Sequence, residues 1–549
     1  MDLNVILPPE RIDAMTRAGY WHDRTVVDYL DAAAAQLPDK VALTDWNSTT
    51  ARASTLSYRQ LKRLSERLGA GLAALGVGKG DVVSFQLPNW WQFVALHLAS
   101  VRIGAISSPL MPIFRERELV HMLGLAEAKV LVVPRRFRDF DYADMVSGIR
   151  DKLPALEHVL VIGGEGESSF EAFAARRWEE ASDTKTLFAS RRQGPNEVTK
   201  VLYTSGTTGE AKGVMHTANT LFGNLVECAK RLGLGEKDIV LMASPLAHQT
   251  GFLYGMVMSI MLRSKLVLQD VWAPDEAARR IRDEGCTFTM AATPFLADLA
   301  DLATLDKFDI SSLQVFVCGG APIPEAMMQR AARRLGCSIM SAWGMTENGA
   351  VTITKPGDPD AKVFGTDGCA LPGLEVRVVG ADGNTCPRDI EGDLQVRGAS
   401  SFVGYLKRPK LYGVDSNGWF DTGDRARMDA EGYIRITGRS KDIIIRGGEN
   451  IPVMEVEGML YRHPSIQDAA VVAMPDPRLG ERACAFVTLQ PGATPVSLAD
   501  LTAYLAEHRM SKQYYPERLE IVQTMPRTPS GKIQKFKLRE IAKEFGFGS

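Results

Sequence analysis

Hydrophobic residues follow two alternating patterns through most of the chain. Residues 58–75 carry apolar side chains at helical spacing and are followed by Gly76 and Gly78, which predicts a helix that ends there. The apolar run 81–87 predicts a strand, and 91–101 predicts the next helix. Further short strands are predicted at 130–133, 158–162, 240–243, 265–268 and 315–318. Buried strands that alternate with amphipathic helices are typical of a largely parallel sheet covered on both faces.

The pattern changes after about Gly373, where short strands are separated by turn sequences. The turns are Asp382-Gly383 and Asn417-Gly418, and the strands are predicted at 374–379, 392–397 and 433–436. This spacing predicts a smaller, mostly antiparallel β unit.

A polar stretch, 438–442, separates two apolar runs and predicts a domain joint. Beyond it we expect helices at 453–462 and 498–508, with strands at 469–473 and 483–489. The predicted fold class is therefore α/β: a large N-terminal domain of parallel-rich sheets covered by helices plus a small β unit, followed by a small α+β C-terminal domain. We place the domains at 1–439 and 440–549.

Composition narrows the class of protein. A chain of 549 residues is too long for one core, and a net charge of −2 gives no indication of nucleic-acid binding. Seven dispersed cysteines without a CxxC pair argue against a disulfide framework or a zinc site. The N-terminus shows no secretory signal, and the apolar run 252–262 is too short to span a bilayer. These features predict a cytoplasmic protein without a membrane span.

The segment 203–213, YTSGTTGEAKG, concentrates glycines and hydroxyls around one lysine, Lys212. Glycines let backbone N–H groups turn toward an anion, and the lysine adds a mobile positive charge, so the segment suits a polyphosphate. It does not match the P-loop pattern GxxxxGK[ST], because Ala211 precedes the lysine and Gly213 follows it. Taken alone, a flexible loop without a ligand explains the segment equally well.

Further motifs carry nucleotide-binding side chains. WGMTE (343–347) offers an aromatic face, a hydroxyl and a carboxylate that suits Mg²⁺, and WFDTGD (419–424) ends in a carboxylate suited to ribose hydroxyls. Near the C-terminus, PRTPSGK (526–532) delivers a second lysine from a loop of small residues. Each motif alone also has a structural explanation: a core tryptophan, a turn aspartate or a surface ion pair.

The ordered set of motifs resembles the adenylate-forming superfamily, specifically the acyl-CoA synthetases, over roughly residues 25 to 540. The matching segments, in order, are YTSGTTGEAKGV, PLAHQTG (245–251), CGGAPIP (318–324), WGMTE, WFDTGD, GRSKDIIIRGGENI (438–451) and PRTPSGKI (526–533). One departure is mild: the family more often has tyrosine where this chain has Trp343, which keeps the stacking face.

The resemblance implies a nucleotide site built from several segments. The β and γ phosphates of ATP would be held by Thr204, Ser205, Gly206, Thr207, Thr208 and Lys212. The adenine would be enclosed by Gly320, Ala321, Pro322 and Trp343, with Gly344 and Met345 beside it. Thr346 would contact the α-phosphate, Glu347 would hold Mg²⁺, and Asp424 and Arg439 would bind the ribose.

The resemblance also implies an AMP-forming ligase that uses ATP, Mg²⁺ and coenzyme A. A carboxylate would attack the α-phosphorus with help from Lys532, and the thiol of coenzyme A would then attack the acyl-adenylate. Between the steps a mobile C-terminal domain would rotate about a hinge at Lys441 and bring Gly447 and Gly448 to the pantetheine channel. Because some bacterial relatives have a PxxxxGK segment that protein acetyltransferases read, Lys532 is also a hypothetical acetylation site, open to a matching deacetylase.

The acid itself is less clearly encoded. The family's acyl pocket corresponds to His248, Gly251, Cys318 and Gly319, with His248 open to interpretation as a gate or a core histidine. Segments 88–99 and 109–123 resemble ligases for alicyclic acids, so cyclohexanecarboxylate is the leading substrate. Benzoate-type acids, short- or medium-chain acids, and a stand-alone adenylation enzyme that loads a carrier protein remain alternatives.

Overall fold

The computed structural model describes nearly the whole chain. The described residues are 2–180, 183–204, 211–320, 323–439, 443–446, 449–476, 478–508, 510–528 and 531–545.

The largest sheet is parallel through its centre and antiparallel at both edges. Its strands, from one edge to the other, are Cys369–Ala370, Gly349–Ile353, Ser338–Met345, Val315–Gly319, Phe288–Ala291, Ile239–Met242, Lys265–Gln269, Val41–Asn47 and Arg52–Ser57. The central strands are buried runs of apolar residues, as a sheet with both faces covered requires. We call it the large sheet.

A second sheet lies earlier in the chain and is parallel except for one edge hairpin. Its strands, in spatial order, are Lys212–Thr217, Val198–Thr204, Ile106–Pro109, Val82–Phe85, Val130–Pro134 and His158–Ile162. The glycine-rich segment of the sequence joins the two strands of the edge hairpin.

Helices cover both sheets. The helix Tyr58–Ala74 begins at a capping box between Ser57 and Gln60, while Trp91–Arg102 is buried along nearly its whole length and shares a core with the large sheet. The α-helices before residue 370 are Pro9–Arg17, Val26–Gln36, Tyr58–Ala74, Trp91–Arg102, Glu116–Ala126, Tyr142–Ile149, Phe170–Ala175, Thr184–Ser190, Ala218–Leu232, Met258–Leu262, Pro274–Glu284, Thr293–Ala300, Glu325–Leu335 and Asp360–Gly365, with a π-helix at Thr250–Val257.

The remaining strands form the predicted β unit and a separate C-terminal sheet. The β unit is antiparallel, with the order Leu374–Val379, Gly392–Gly398, Phe420–Met428 and Ile434–Arg439. The C-terminal sheet contains Glu449–Ile451, Ile444–Arg446, Gly480–Leu489, Ile466–Asp476 and Arg518–Ile521, and packs with the helices Val453–Leu460, Leu498–Glu507 and Lys535–Glu544. The predicted fold class is confirmed.

The C-terminal sheet and its helices contact the rest of the molecule beside the ends of the large sheet. Arg462 forms a 3.2 Å ion pair with Glu325, and Gly531 lies against Pro294. The predicted hinge, Lys441, lies outside the described residues, and the boundary at 439/440 stays a prediction.

Candidate active site

The sequence motifs meet at one end of the large sheet. The neighbouring strands Val315–Gly319 and Ser338–Met345 are parallel, so the residues that follow them, Gly320 and Thr346, emerge at the same edge. The edge hairpin of the second sheet reaches the same place, because the His216 ring bonds to Thr346. Ends of parallel strands in α/β proteins commonly position ligand-binding groups in this way.

Glu347 is a buried carboxylate held by one tyrosine. Only 6% of Glu347 is exposed, and Tyr405 donates a 2.7 Å hydrogen bond from its hydroxyl to Oε1. Burial raises the pKa of Glu347, while the Tyr405 hydrogen bond and the charges of Lys212 and Arg439 act in the opposite direction. On balance the pKa of Glu347 is raised, and the Tyr405 hydrogen bond and the two cations oppose the effect of burial only in part.

Asp424 joins two other predicted site residues. Its Oδ1 pairs with Nε of Arg439 at 2.9 Å, and its Oδ2 accepts a 2.9 Å hydrogen bond from the indole Nε1 of Trp343. Asp424 and Trp343 are both buried, whereas the Arg439 side chain is 57% exposed. This hydrogen bond lies in the plane of the indole ring, so Asp424 fixes the orientation of Trp343.

Lys532 comes from the C-terminal part of the chain and enters the same site. A Cβ placed on Gly320 would lie 3.8 Å from Cε of Lys532, and Gly320 itself has φ +86°, a conformation that favours glycine. Burial, together with the charge of Arg439, lowers the pKa of Lys532 to about 8, while the charges of Asp424 and Glu347 act in the opposite direction. The lysine amine is therefore within electrostatic reach of the groups around Glu347 and Asp424.

Thr346 is positioned through its backbone. Its carbonyl oxygen accepts a 2.7 Å hydrogen bond from Nε2 of His216, whose Nδ1 lies 3.0 Å from Oγ1 of Thr220. Burial, followed by the charge of Lys200, lowers the pKa of His216 to about 3, so the ring is neutral and donates from Nε2. His216 thus connects the edge hairpin to the loop that carries Thr346 and Glu347.

Of the residues predicted to bind the β and γ phosphates, only Thr204 and Lys212 lie within the described part of the chain. Thr204 and Lys212 are paired across the edge hairpin, and Nζ of Lys212 lies 4.9 Å from the centre of the Tyr405 ring. The same tyrosine therefore touches both Glu347 and Lys212. The other predicted residues Ser205, Gly206, Thr207, Thr208, Ala321, Pro322, Lys441, Gly447 and Gly448 lie outside the described residues.

The four predicted acyl-pocket residues, His248, Gly251, Cys318 and Gly319, all lie within the described part of the chain. The backbone at Gly251 packs so closely that an added Cβ would lie 2.3 Å from the carbonyl oxygen of Pro245. Burial and the charges of Lys532 and Lys200 lower the pKa of His248 to about 3. Burial raises the pKa of Cys318 to about 12, so its thiol stays protonated at neutral pH. Gly319 follows Cys318 at the end of the same strand and packs against Ala342.

Sequence reasoning missed three residues that shape the site: Tyr405, His216 and Lys200. Tyr405 is separated from its partner Glu347 by 58 residues, and no spacing in the sequence connects them. His216 stands three residues after the quoted glycine-rich segment, on a strand that alternation alone would assign to the core. Only the tertiary contacts show what these side chains do.

The arrangement suits a polyanion bound with a divalent cation. Glu347 offers a buried carboxylate whose Oε1 accepts from Tyr405, while Lys532, Arg439 and Lys212 supply positive charge. Within the described residues no cluster of three or more histidine, cysteine, aspartate or glutamate side chains could hold a metal ion by itself. A Mg²⁺ held by one carboxylate together with phosphate oxygens is consistent with this donor set.

Two family models match successive parts of the chain. Residues 30–406 match the model of a family described as AMP-binding enzyme, and residues 455–532 match its C-terminal domain. The chain is 36% identical over 542 residues to the medium-chain fatty-acid–CoA ligase of Escherichia coli (strain K12), covering 98% of this chain and 94% of that protein. It is 31% identical over 545 residues to the 2,3-dihydroxybenzoate-AMP ligase of Bacillus subtilis (strain 168), covering 98% and 97%.

A solved structure shares the architecture as well. The anthranilate CoA ligase AuaEII, in complex with anthranoyl-AMP, superposes with a TM-score of 0.83 at 25% identity, covering 95% of this chain and 98% of that one. Among the helices of the described residues, none is both long and apolar enough to cross a membrane.

Proposed function

Since the chain belongs to the AMP-binding enzymes of the adenylate-forming superfamily and is an AMP-forming ligase, we propose that it joins a carboxylic acid to coenzyme A at the expense of ATP. The observation that carries this proposal is the position of Lys532, which comes from the C-terminal part and lies within reach of Glu347, Asp424 and Arg439. A lysine there can act on an acid and a nucleotide that are bound by the N-terminal part.

In the first step the acid's carboxylate attacks the α-phosphorus of ATP. A bond forms between a carboxylate oxygen and phosphorus, the bond from phosphorus to the β-phosphate oxygen breaks, and pyrophosphate leaves with the electron pair. The acid is ionised at neutral pH, so no general base is required. Catalysis is therefore a matter of positioning and charge stabilisation, for which Lys532 bridges the carboxylate and an α-phosphate oxygen.

The nucleotide is held by the residues around Asp424 and Glu347. Asp424 accepts hydrogen bonds from the ribose hydroxyls beside Arg439, and Trp343 provides the aromatic face near the adenine with Gly320, Ala321, Pro322, Gly344 and Met345. Thr346 contacts the α-phosphate, and Thr204, Ser205, Gly206, Thr207, Thr208 and Lys212 hold the departing pyrophosphate. Glu347 would hold Mg²⁺, which supplies charge neutralisation on the phosphates when bound.

In the second step the sulfur of coenzyme A attacks the acyl carbon and the thioester forms. The bond from that carbon to the phosphate oxygen breaks, AMP leaves with the electron pair, and the thiol proton is released to solvent. Lys532 fills the side of the adenylate that the thiol must approach, so the two steps need different positions of the C-terminal part. The domains 1–439 and 440–549 would rotate about Lys441 and exchange Lys532 for Gly447 and Gly448, whose small size suits a narrow pantetheine channel.

The leading substrate is cyclohexanecarboxylate or a related alicyclic acid, bound beside His248, Gly251, Cys318 and Gly319. The test is AMP formation with Mg·ATP, coenzyme A and cyclohexanecarboxylate, benzoate, butyrate, octanoate or phenylacetate. Strong, CoA-dependent turnover of cyclohexanecarboxylate supports the alicyclic assignment. Preference for octanoate or benzoate would keep the ligase and replace its substrate, and absence of AMP with every acid would contradict the proposed reaction.

Loading of a carrier protein is the second candidate, because one relative is named as an AMP ligase. The two candidates differ in the acceptor. A carrier-loading enzyme would form the acyl-adenylate and release pyrophosphate without consuming coenzyme A, whereas the CoA ligase would produce free AMP and a thioester in equal amounts.

We also propose that acetylation of Lys532 by a protein acetyltransferase, reversed by a deacetylase, switches the first step off. The chain matches the PxxxxGK pattern from Pro526 to Lys532, and an acetylated amine has no charge to offset the repulsion between carboxylate and phosphate. Incubation with acetyl-CoA and a suitable acetyltransferase, followed by mass spectrometry, should show a modified Lys532 together with loss of pyrophosphate release. An unmodified Lys532 would contradict this part of the proposal.

A further inference from the structure

Lys200 is a lysine in the interior of the molecule. It lies in the middle of the strand Val198–Thr204 and has no exposed surface. Its Nζ donates a hydrogen bond to Oε1 of Gln249 and lies 4.1 Å from the centre of the Phe252 ring. Among the described residues no carboxylate pairs with it, and burial lowers the pKa of its amine well below the ordinary value.

The groups that face Lys200 do not compensate a positive charge. His216 and Ser107 stand opposite it on the two neighbouring strands, and His97, 2.8 Å from Ser107 through Nδ1, packs edge-on against Phe252 at 4.7 Å. Burial together with the charge of Lys200 lowers the pKa of His97 and of His216 to about 3, so both rings are neutral. An unpaired ammonium in such surroundings is costly, and a methionine or leucine would fill the space at lower cost.

The partner of Lys200 has an unused donor. Gln249 is 4% exposed, and its Nε2 has no hydrogen-bond partner among the described residues. Gln249 immediately precedes the π-helix Thr250–Val257 and lies between His248 and Gly251, two residues of the predicted acyl pocket. Buried amide groups are nearly always paired, so an orphaned donor at this position indicates a partner supplied from outside the protein.

Lys200 and Lys532, the lysine proposed to act on the reacting carboxylate, both act on the same histidine. The charges of both Lys532 and Lys200 lower the pKa of His248, the residue next to Gln249. Lys532 comes from the end at which the acid's carboxylate would react, whereas Lys200 comes from the strand Val198–Thr204 and bonds to Gln249. An acid bound along His248 with its carboxylate near Lys532 would direct its other end toward Gln249.

We propose that Lys200 and Gln249 form an inner polar subsite of the acyl pocket that binds an oxygen acceptor on the tail of the acid. The inference rests on the proposed function and narrows its substrate class to acids with a hydroxyl, carbonyl or second carboxylate away from the reacting carboxylate. Lys200 and the Nε2 group of Gln249 are donors, so an acceptor oxygen satisfies both, whereas a purely apolar tail leaves Nε2 unpaired. Sites built to hydrogen-bond a substrate discriminate strongly against analogues that lack the acceptor.

The test compares matched acids in AMP formation. The ring set is cyclohexanecarboxylate, 4-hydroxycyclohexanecarboxylate and cyclohexane-1,4-dicarboxylate, and the chain set is hexanoate, 6-hydroxyhexanoate and adipate. We expect kcat/KM of the wild type to be about 10- to 100-fold higher for an oxygen-bearing acid than for its apolar parent. Preference for the hydroxy acid identifies a neutral acceptor, and preference for the diacid identifies a carboxylate.

Lys200→Met removes the amine and keeps the length of the side chain. It should reduce the ratio of kcat/KM between each oxygen-bearing acid and its apolar parent to about 1, whereas Lys185→Met, on an exposed lysine of the helix Thr184–Ser190, should leave every ratio unchanged. Equal ratios in the wild type and Lys200→Met, or a wild-type preference for the apolar parents, would overturn the proposal. Absence of AMP with every acid, apolar parents included, would instead contradict the ligase function.

A measurement on the wild type alone covers the case in which Lys200→Met does not fold. A second carboxylate bound at Lys200 would raise the pKa of its amine, so binding of a diacid at pH 8 should take up protons. Calorimetric titration with a non-hydrolysable ATP analogue present, in two buffers of different ionisation enthalpy, measures this uptake. Lys200→Gln serves as the second variant and should lose the uptake. Equal proton exchange for the diacid and its monoacid, combined with equal turnover of the hydroxy acid and its parent, would refute the subsite.

Discussion

The hydroxyl of Tyr405 lies 2.7 Å from Oε1 of Glu347, and the ring of the same tyrosine lies 4.9 Å from Nζ of Lys212. One side chain therefore holds the carboxylate proposed for Mg²⁺ next to the lysine proposed for pyrophosphate. The donor to a metal-binding carboxylate fixes its orientation and favours its ionised form. Tyr405 lies outside every motif that the sequence offered.

Tyr405→Phe should make Glu347 harder to ionise and so slow the first step at acidic pH. The Tyr405 hydrogen bond lowers the pKa of Glu347 against the effect of burial, so its removal raises that pKa and moves the acidic limb of the pH–rate profile to higher pH. We expect the apparent affinity for Mg²⁺ to fall about 10-fold or more. The measurements are pyrophosphate release against pH and against Mg²⁺ concentration.

The matched control for this prediction is Tyr504→Phe, which removes the same hydroxyl from the helix Leu498–Glu507. It should behave as the wild type. An unchanged acidic limb in Tyr405→Phe would show that Tyr405 does not tune Glu347.

Asp424→Asn should weaken the binding of ATP more than it slows the reaction of bound ATP. The substitution removes the charge that pairs with Arg439 at 2.9 Å and alters the acceptor of the Trp343 indole. We expect KM for ATP to rise on the order of 10- to 100-fold, with a smaller change in kcat. Asp389→Asn is the control, since it makes the same change on the exposed surface of the β unit at a φ of +63°, which asparagine tolerates. An unchanged KM for ATP would remove Asp424 from the nucleotide site.

The first step should lose activity in mildly alkaline solution. Burial lowers the pKa of Lys532 to about 8, so the amine is charged below that pH and loses its proton as the pH rises through it. Because the charged form bridges carboxylate and phosphate, kcat/KM for pyrophosphate release should show a descending limb near pH 8. The anionic substrates stabilise the charge, so the limb of kcat should lie at higher pH.

The lowered pKa of Lys532 should also make the position of the C-terminal part depend on pH. In its docked position Lys532 has a pKa of about 8, below that of a solvent-exposed lysine, so the docked form binds fewer protons. Rising pH above about 8 should therefore favour docking of the substrate-free protein. Spectroscopic distance measurements between labels on the two parts would detect this change, and a pH-independent distance would contradict it.

Lys532→Ala should separate the two half-reactions. Loss of the bridging charge should slow carboxylate-dependent pyrophosphate release on the order of 10²–10³-fold. Thiolysis of a supplied acyl-adenylate by coenzyme A should continue, because the proposed domain rotation takes the lysine out of the site at that stage. Lys537→Ala, on an exposed position of the helix Lys535–Glu544, is the control. Full pyrophosphate release in Lys532→Ala would contradict the mechanism.

Local order in the sequence determined most of the architecture. The spacing over 58–75 predicted the helix Tyr58–Ala74, and the run 158–162 predicted the strand His158–Ile162, because hydrophobic periodicity directly reflects which faces are buried. The turn at Asp382-Gly383 likewise predicted an antiparallel hairpin. The motifs predicted an AMP-binding enzyme because each is a continuous segment whose chemistry depends on neighbouring residues.

Contacts between distant segments were decided only by the tertiary structure. The pairs Tyr405–Glu347 and His216–Thr346 join residues whose separation along the chain carries no signal. Lys200 shows the same limit more sharply, since in the sequence it is a charged residue in a strand whose other side chains are uncharged. Its burial without a carboxylate partner follows from packing against Gln249 and Phe252, and side-chain packing is a property of the whole fold rather than of any local pattern.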